Sequence, residues 1–248
     1  MQLHYTDSGK GVPALVFLHY FGGAASSWED VILHLQNEFR CIAVDLFGFG
    51  KSPAPQSQVT VQESSEKVIE LIENLSLDNY VLIGHSMGAK IAADIAAKPL
   101  KGLQSLLLIA PSPPSSEPMK EKDREDMYEA FGNRDAIEKM LQNALGSMVS
   151  NDVFQREVNN NFSVSETGWK SWPELGSKED ISLQMQYVHV PVSILYGEKD
   201  KRFTKKYLEK EYSLYFKTFS LTEITGVGHL VPVEAPEKTA TEIKKLLR

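Results

Sequence analysis

A single serine lies where the sequence changes from a strand pattern to a helix pattern. Residues 84–88 read Gly-His-Ser-Met-Gly, after the β-branched and aromatic run 80–83 and before the alanine-rich stretch 89–97. A turn this sharp requires small neighbours, because a Cβ on either glycine would collide with the adjoining strand or helix. It also lifts the hydroxyl of Ser86 clear of a sheet, at the N-terminus of a helix. The pattern therefore predicts a nucleophile.

A serine hydroxyl becomes a nucleophile only when a base takes its proton, and an acid must orient that base. Of the six histidines, His229 lies in a glycine-flanked loop after the last predicted strand. His85 adjoins the serine, but a residue beside so sharp a turn points away from it. Asp200 follows a predicted strand, where functional residues of open α/β sheets collect, and Glu198 competes for its role. The chain order predicts a triad of Ser86, Asp200 and His229.

Alternating strand and helix patterns position these residues. An edge strand is predicted at 3–7, buried strands are predicted at 14–18, 40–44 and 80–83, and further strands are predicted at 105–110, 192–197 and 218–224. Capping boxes at Thr60 with Glu63 and at Ser26 with Glu29 predict the beginnings of two helices. This alternation predicts an α/β fold with a doubly wound, mostly parallel sheet.

The alternation stops between residues 111 and 190. We expect a core domain made of residues 1–110 and 191–248, and an inserted helical cap or lid made of residues 111–190. An insertion at this point would cover the edge of the sheet where ligands bind. Its methionine and aromatic side chains are candidates for an apolar pocket lining: Met127, Phe131, Met140, Met148, Trp169 and Trp172.

Composition excludes several classes of protein. The net charge of −7 disfavours nucleic acid as a partner, because phosphate backbones bind clustered Lys and Arg.

The sequence contains neither a signal-peptide pattern nor a membrane-spanning run, so we expect a cytoplasmic protein without a membrane partner. The one cysteine, Cys41, is expected to pack in a strand. No metal or organic cofactor is expected, because the sequence lacks paired ligand spacings and a dinucleotide fingerprint. Monomer and dimer both remain open.

Taken together, the motifs resemble the α/β-hydrolase superfamily, in its cap-bearing, serine-esterase-like branch. The resemblance rests on residues 84–88, 45–52, 197–200 and 228–229, and it covers nearly the whole chain outside the insertion. Haloalkane dehalogenases and soluble epoxide hydrolases of this superfamily carry aspartate at the position of the serine, which distinguishes this chain from them.

The resemblance implies an oxyanion hole. The segment 19–23, after the first buried strand, would contribute the backbone N–H of Phe21, and Met87 would contribute the other N–H. Tyr20 stands where the family usually has glycine, so it either reaches the mouth of the pocket or packs under the lid. We expect Tyr20, His85 and Trp169 to contact the substrate.

The predicted function is cofactor-free hydrolysis of a carboxylic ester of a small or medium apolar substrate, through an acyl-enzyme on Ser86. A thioesterase, a lactonase, a carbon-carbon bond hydrolase and a cofactor-free haloperoxidase or perhydrolase remain open. A different class is a receptor that binds a small ligand and presents its lid to a protein partner. The charged face at 120–126 of the predicted lid favours the enzyme.

Overall fold

A seven-stranded sheet forms the centre of the computed structural model, which describes residues 2–247. Residues 1 and 248, the outer limits of the predicted core domain, lie outside the described residues. The strand order is β1-β3-β2-β4-β5-β6-β7. The strands are β1 Tyr5–Ser8, β2 Ala14–Leu18, β3 Cys41–Val44, β4 Tyr80–His85, β5 Leu103–Ile109, β6 Val192–Gly197 and β7 Ser220–Ile224. Only β1 pairs antiparallel, so the predicted mostly parallel α/β sheet is confirmed.

Helices follow most strands. They are α1 Glu29–Leu33, α2 Val61–Asn74, α3 Met87–Ala96, α4 Glu121–Glu129, α5 Arg134–Ala144, α6 Asn151–Phe162, α7 Glu166–Ser171, α8 Lys205–Tyr212, α9 Val231–Glu234 and α10 Pro236–Leu246. Short 3-10 turns cover Ala25–Trp28 and Ser182–Tyr187, and a π-helical turn covers Trp172–Gly176. Within residues 2–247, none of the helices combines the length and the apolar character needed to cross a membrane.

The sheet is buried on both faces. Along β2, Val16 and Leu18 enter one apolar cluster, whereas Leu15 and Phe17 enter another on the opposite side. Successive side chains of a strand point to opposite faces, so a continuous apolar run fits a strand covered by helices on both sides. Because β2 to β7 run parallel, the loops that follow these strands emerge at one edge of the sheet.

One predicted helix start is confirmed and the other is wrong. The Thr60 hydroxyl accepts the Glu63 N–H at 3.1 Å, and the Glu63 carboxylate accepts the Thr60 N–H at 2.8 Å. By contrast, Ser26 lies inside a 3-10 turn, and its hydroxyl donates to Asn160 Oδ1 at 2.8 Å. A contact with α6, far along the chain, therefore takes the hydroxyl away from the local cap.

The segment 111–190 holds α4 to α7 and packs on the loops that follow β2 and β3. The Ser165 N–H donates to Gly48 O at 2.8 Å, and a Cβ on Gly168 would lie 2.7 Å from the same oxygen. Met148 is 98% exposed, so its expected place in a pocket lining is wrong. The division into core and lid stays a prediction.

Candidate active site

Ser86 occupies a strained turn between β4 and α3. Its φ of 53° and ψ of −115° lie where a residue with a Cβ is rarely found. A Cβ on Gly84 would lie 2.6 Å from Ala89 Cα, and a Cβ on Gly88 would lie 2.5 Å from His19 O. The expected collisions at both glycines are thus confirmed, and they explain why the turn requires glycine on each side of the serine.

Strand β5 and the residues after it hold the strained backbone in place. The Ser86 N–H donates to Ile109 O at 2.9 Å, and the Ser112 N–H donates to Ser86 O at 3.2 Å. The Ser86 N–H is therefore satisfied outside α3, whereas Ser86 O also accepts the Ala89 N–H of α3 at 2.9 Å. Its side chain is left at the helix N-terminus, 7% exposed for the whole residue.

The three residues of the predicted triad lie in hydrogen-bond contact. Ser86 Oγ is 2.8 Å from His229 Nε2, and His229 Nδ1 is 2.7 Å from Asp200 Oδ2. The other carboxylate oxygen of Asp200 accepts the N–H groups of Arg202 at 2.8 Å and Phe203 at 3.1 Å. An arrangement of this kind can move a proton from the serine to the histidine.

The protonation of Asp200 fixes the direction of these bonds. Burial raises the pKa of its carboxyl, but the charge of His229 and the hydrogen bonds from the ring and from two backbone N–H groups outweigh burial and hold the pKa at about 2. The carboxylate can only accept, so His229 Nδ1 donates to it. In the neutral form of the ring, Nε2 then carries no proton and accepts the hydroxyl of Ser86.

Glu198, the competing candidate for the acid, and Asp45, which follows β3, both bond backbone N–H groups elsewhere. Glu198 accepts the Gly226 N–H at 2.8 Å on the surface. Asp45 accepts the Ala25 N–H at 2.6 Å and the Lys51 N–H at 2.9 Å, so it ties its own glycine loop, residues 45–52, to the turn before α1.

The loop that carries His229 is tied to the segment after α5. The Glu234 carboxylate accepts the Gly228 N–H at 3.0 Å and the Gly146 N–H at 2.8 Å. The His229 N–H donates to Ala144 O at 2.8 Å. The position of the imidazole therefore depends on residues 144–146 as well as on the core.

The chain that leaves β2 runs beside the serine turn, because Leu18 and Gly84 are partners in the sheet. His19 fixes the start of this segment: its Nδ1 is 2.7 Å from Tyr20 O, and its Nε2 is 3.0 Å from the Leu46 nitrogen. The Leu46 N–H needs an acceptor, so His19 is neutral with its proton on Nδ1. Burial lowers the pKa of His19 to about 4, which agrees with that assignment.

The two backbone N–H groups expected to form the oxyanion hole have no hydrogen-bond partner among residues 2–247. One is that of Phe21, which lies in the loop after β2. The other is that of Met87, the first residue of α3, where the initial N–H groups of a helix have no acceptor within the helix. Their position next to the serine turn makes this a candidate anion site.

The residues expected to contact substrate are buried and engaged with other protein groups. His85 Nε2 is 2.8 Å from His229 O, and Tyr20 donates its hydroxyl to Glu157 at 3.0 Å. Trp169 donates from Nε1 to Met127 O at 2.8 Å, and its ring centroid lies 4.7 Å from that of Phe21. Tyr20 thus packs under α6, one of its two expected positions, and substrate contact by these three residues stays a prediction.

A small apolar cavity of about 20 Å³ adjoins Met87, close to the volume of one water molecule. Its walls come from the loop after β3, from α2 and α3, and from the segment 168–176, and they include Leu46, Phe49, Ile91 and Trp172. Among residues 2–247, no cluster of three or more His, Cys, Asp or Glu side chains is placed to hold a metal ion.

Comparison with known proteins identifies the family. The family model described as "alpha/beta hydrolase fold" matches residues 13–145, more than half of the chain. The chain belongs to the alpha/beta hydrolase fold family. A solved esterase from Exiguobacterium antarcticum superposes on this α/β hydrolase with a TM-score of 0.89, at 20% identity, over 99% of this chain and 95% of the esterase.

Two curated relatives match this α/β hydrolase over different lengths of the chain. Haloalkane dehalogenase 2 of Mycobacterium tuberculosis is 24% identical over 259 residues, which cover 98% of this chain and 90% of the dehalogenase. A probable lysophospholipase of Arabidopsis thaliana, BODYGUARD 4, is 37% identical over 101 residues. That match covers 39% of this chain and only 24% of the length of the plant protein.

Proposed function

We propose that this α/β hydrolase cleaves a carboxylic ester of a small or medium apolar substrate through an acyl-enzyme on Ser86. The observation that carries the proposal is the chain of hydrogen bonds from Ser86 Oγ to His229 Nε2 at 2.8 Å and from His229 Nδ1 to Asp200 Oδ2 at 2.7 Å. Family membership and the likeness to an esterase structure support the same class of reaction.

The proposed mechanism has two steps. Ser86 attacks the ester carbonyl while His229 takes its proton, and His229 then gives that proton to the departing alcohol. In the second step a water molecule loses a proton to His229 and attacks the acyl-enzyme, which releases the acid and restores the serine. In both steps the N–H groups of Phe21 and Met87 would stabilise the oxyanion, and Asp200 would stabilise the imidazolium.

The surroundings of Ser86 favour an apolar substrate. Aromatic rings of Phe21, Trp169 and Phe131 follow one another at centroid distances of 4.7 Å and 6.0 Å. Ser86 is only 7% exposed. Movement of part of the segment 111–190 would widen access to it, which is the role proposed for that segment as a lid.

Hydrolysis of p-nitrophenyl esters from acetyl to decanoyl, with Ser86→Ala measured alongside, tests the proposal. We expect rapid turnover that depends on Ser86 and peaks at one short or medium chain length. A single burst or no release by the wild-type chain would contradict the esterase proposal. Full turnover by Ser86→Ala would exclude Ser86 as the nucleophile.

A further inference from the structure

A buried carboxylate from α6 reaches the loop that carries Phe21. Glu157 is 2% exposed, and its Oε2 accepts the Tyr20 hydroxyl at 3.0 Å and the Ser27 hydroxyl at 2.6 Å. These two residues lie at either end of the segment 20–27. A carboxylate buried this deeply is tolerated only where hydrogen-bond donors surround it. The contacts of Glu157 with Tyr20 and Ser27 are therefore part of the packed interior.

The other partners of Glu157 hold it firmly on α6. Asn160 Nδ2 donates to the same oxygen at 3.2 Å, and Arg156 Nε donates to the second oxygen at 3.2 Å. The Arg156 guanidinium also donates to Asp30 on α1 at 2.7 Å. The carboxylate therefore joins α6 to the segment after β2 through several charged hydrogen bonds.

Tyr20 connects this carboxylate to the candidate anion site. Burial, and after it the charge of Glu157, raise the pKa of Tyr20 well above its usual value, so the hydroxyl stays protonated and donates. At the other end of the residue, Tyr20 O accepts from His19 Nδ1 at 2.7 Å and from the Gly23 N–H at 3.0 Å. The N–H of Phe21 belongs to the same planar peptide unit as Tyr20 O, so fixing the oxygen on one side aims the N–H on the other.

We propose that Glu157 is a positioning residue for the oxyanion hole, because it holds Tyr20 and Ser27 and thereby fixes the peptide unit between Tyr20 and Phe21. The inference rests on the proposed ester hydrolysis. Glu157 lies on α6, so a movement of α6 away from the core breaks its bonds to both hydroxyls together. The oxyanion hole is then complete only when the segment 111–190 is closed over Ser86.

The variants Tyr20→Phe and Glu157→Gln test this role with p-nitrophenyl butyrate as substrate. We expect kcat to fall by about 10-fold to 100-fold, less than the roughly 10²-fold to 10³-fold loss that follows removal of an oxyanion donor, with KM changed by less than about threefold. Tyr215→Phe is a matched control, because it removes a tyrosine hydroxyl that donates to a glutamate at 3.0 Å on another helix. Glu138→Gln controls for the lost charge, since Glu138 pairs with Arg134 at 2.8 Å on α5.

Inhibition by butylboronic acid separates positioning from general destabilisation, because its adduct with Ser86 is tetrahedral like the transition state. Its inhibition constant should rise in proportion to the loss in kcat/KM, and the double variant should lose no more than Glu157→Gln alone. The conservative Tyr20→Phe variant keeps the buried ring. Its kcat and its inhibition constant therefore test the inference even if Glu157→Gln does not fold.

A folded Tyr20→Phe variant with unchanged kcat would overturn the inference. A fall in kcat without a matching rise in the boronic acid constant would also overturn it, since that result indicates a structural role only. Failure of the proposed function looks different: the wild-type chain would then show no hydrolysis that depends on Ser86, and the inference would fail with it.

Discussion

Replacement of Asp200 by asparagine should reverse the proton arrangement of the triad. Oδ1 of Asp200 accepts two backbone N–H groups, those of Arg202 at 2.8 Å and Phe203 at 3.1 Å. In Asp200→Asn the amide oxygen keeps that place, so the NH₂ group faces His229 Nδ1. The amide then donates to Nδ1 and drives the ring proton to Nε2, where it blocks proton transfer from Ser86.

The expected loss in activity is large, whereas the expected loss in stability is small. A triad histidine held in the wrong tautomer reduces kcat by about 10⁴-fold, which corresponds to about 5 kcal/mol in the activation free energy. The pKa of Asp200 is lowered from 3.8 to about 2, so its ionised form stabilises the fold by about 2 kcal/mol at neutral pH. The variant should therefore remain folded at 25 °C while it is almost inactive.

The assay is kcat/KM for p-nitrophenyl butyrate at pH 7.5, with urea denaturation of the same preparations. Glu198→Gln is the matched control, because Glu198 lies two residues away on the same loop and its carboxylate accepts the Gly226 N–H on the surface, away from His229. We expect it to keep activity within about twofold. A folded Asp200→Asn variant that retains more than a tenth of the wild-type kcat/KM would refute the reasoning.

Three further predictions concern the glycine after Ser86, the pH dependence of stability and the buried cysteine. Gly88→Ala should lower the free energy of unfolding by roughly 1–3 kcal/mol, measured by urea denaturation, and should also lower kcat. The reason is that the new Cβ would lie 2.5 Å from His19 O and 2.6 Å from Leu18 O. An unchanged free energy of unfolding would count against the close packing at this turn. Since the pKa of Asp200 is about 2 in the fold and is expected near 3.8 in the unfolded chain, its stabilisation is present above about pH 5 and is lost as the pH falls toward 2. The difference in urea midpoint between wild type and Asp200→Asn should narrow over that range, and a constant difference would argue against the lowered pKa. Burial raises the pKa of Cys41 to about 12, so a thiol reagent at pH 8 should leave the native chain unlabelled and label it fully in guanidinium chloride.

Local patterns in the sequence predicted the sheet, and they singled out three residues that the structure brings into hydrogen-bond contact. The turn at Ser86 is encoded within a few residues, since strand, small neighbours and helix all adjoin it. His229 and Asp200 were found because the carboxyl ends of parallel strands meet at one edge of a sheet, so a loop after each strand brings its side chain to that edge. The predicted topology was therefore enough to group Ser86, Asp200 and His229, which lie far apart in the sequence, into one predicted site.

Contacts made by the segment 111–190 could not be predicted in the same way. Glu157 has no local signal, because its partners Tyr20 and Ser27 lie 137 and 130 residues away in the chain. Ser26 has a capping pattern that the contact with Asn160 overrides. Glu234 likewise has no local signal. Only the folded structure shows that its carboxylate accepts the N–H groups of Gly228 and of Gly146, which follows α5. Pairings of this kind depend on how helices dock, which a single sequence does not specify.

Covalent labelling with a p-nitrophenyl phosphonate ester tests the central claim most directly, because the phosphonate forms a stable tetrahedral adduct with an activated serine. Peptide mapping should place one adduct per chain on Ser86, with release of one equivalent of p-nitrophenol, and His229→Ala should abolish the reaction. An adduct on another residue, or hydrolysis of esters by a chain whose Ser86 stays unlabelled, would contradict the account.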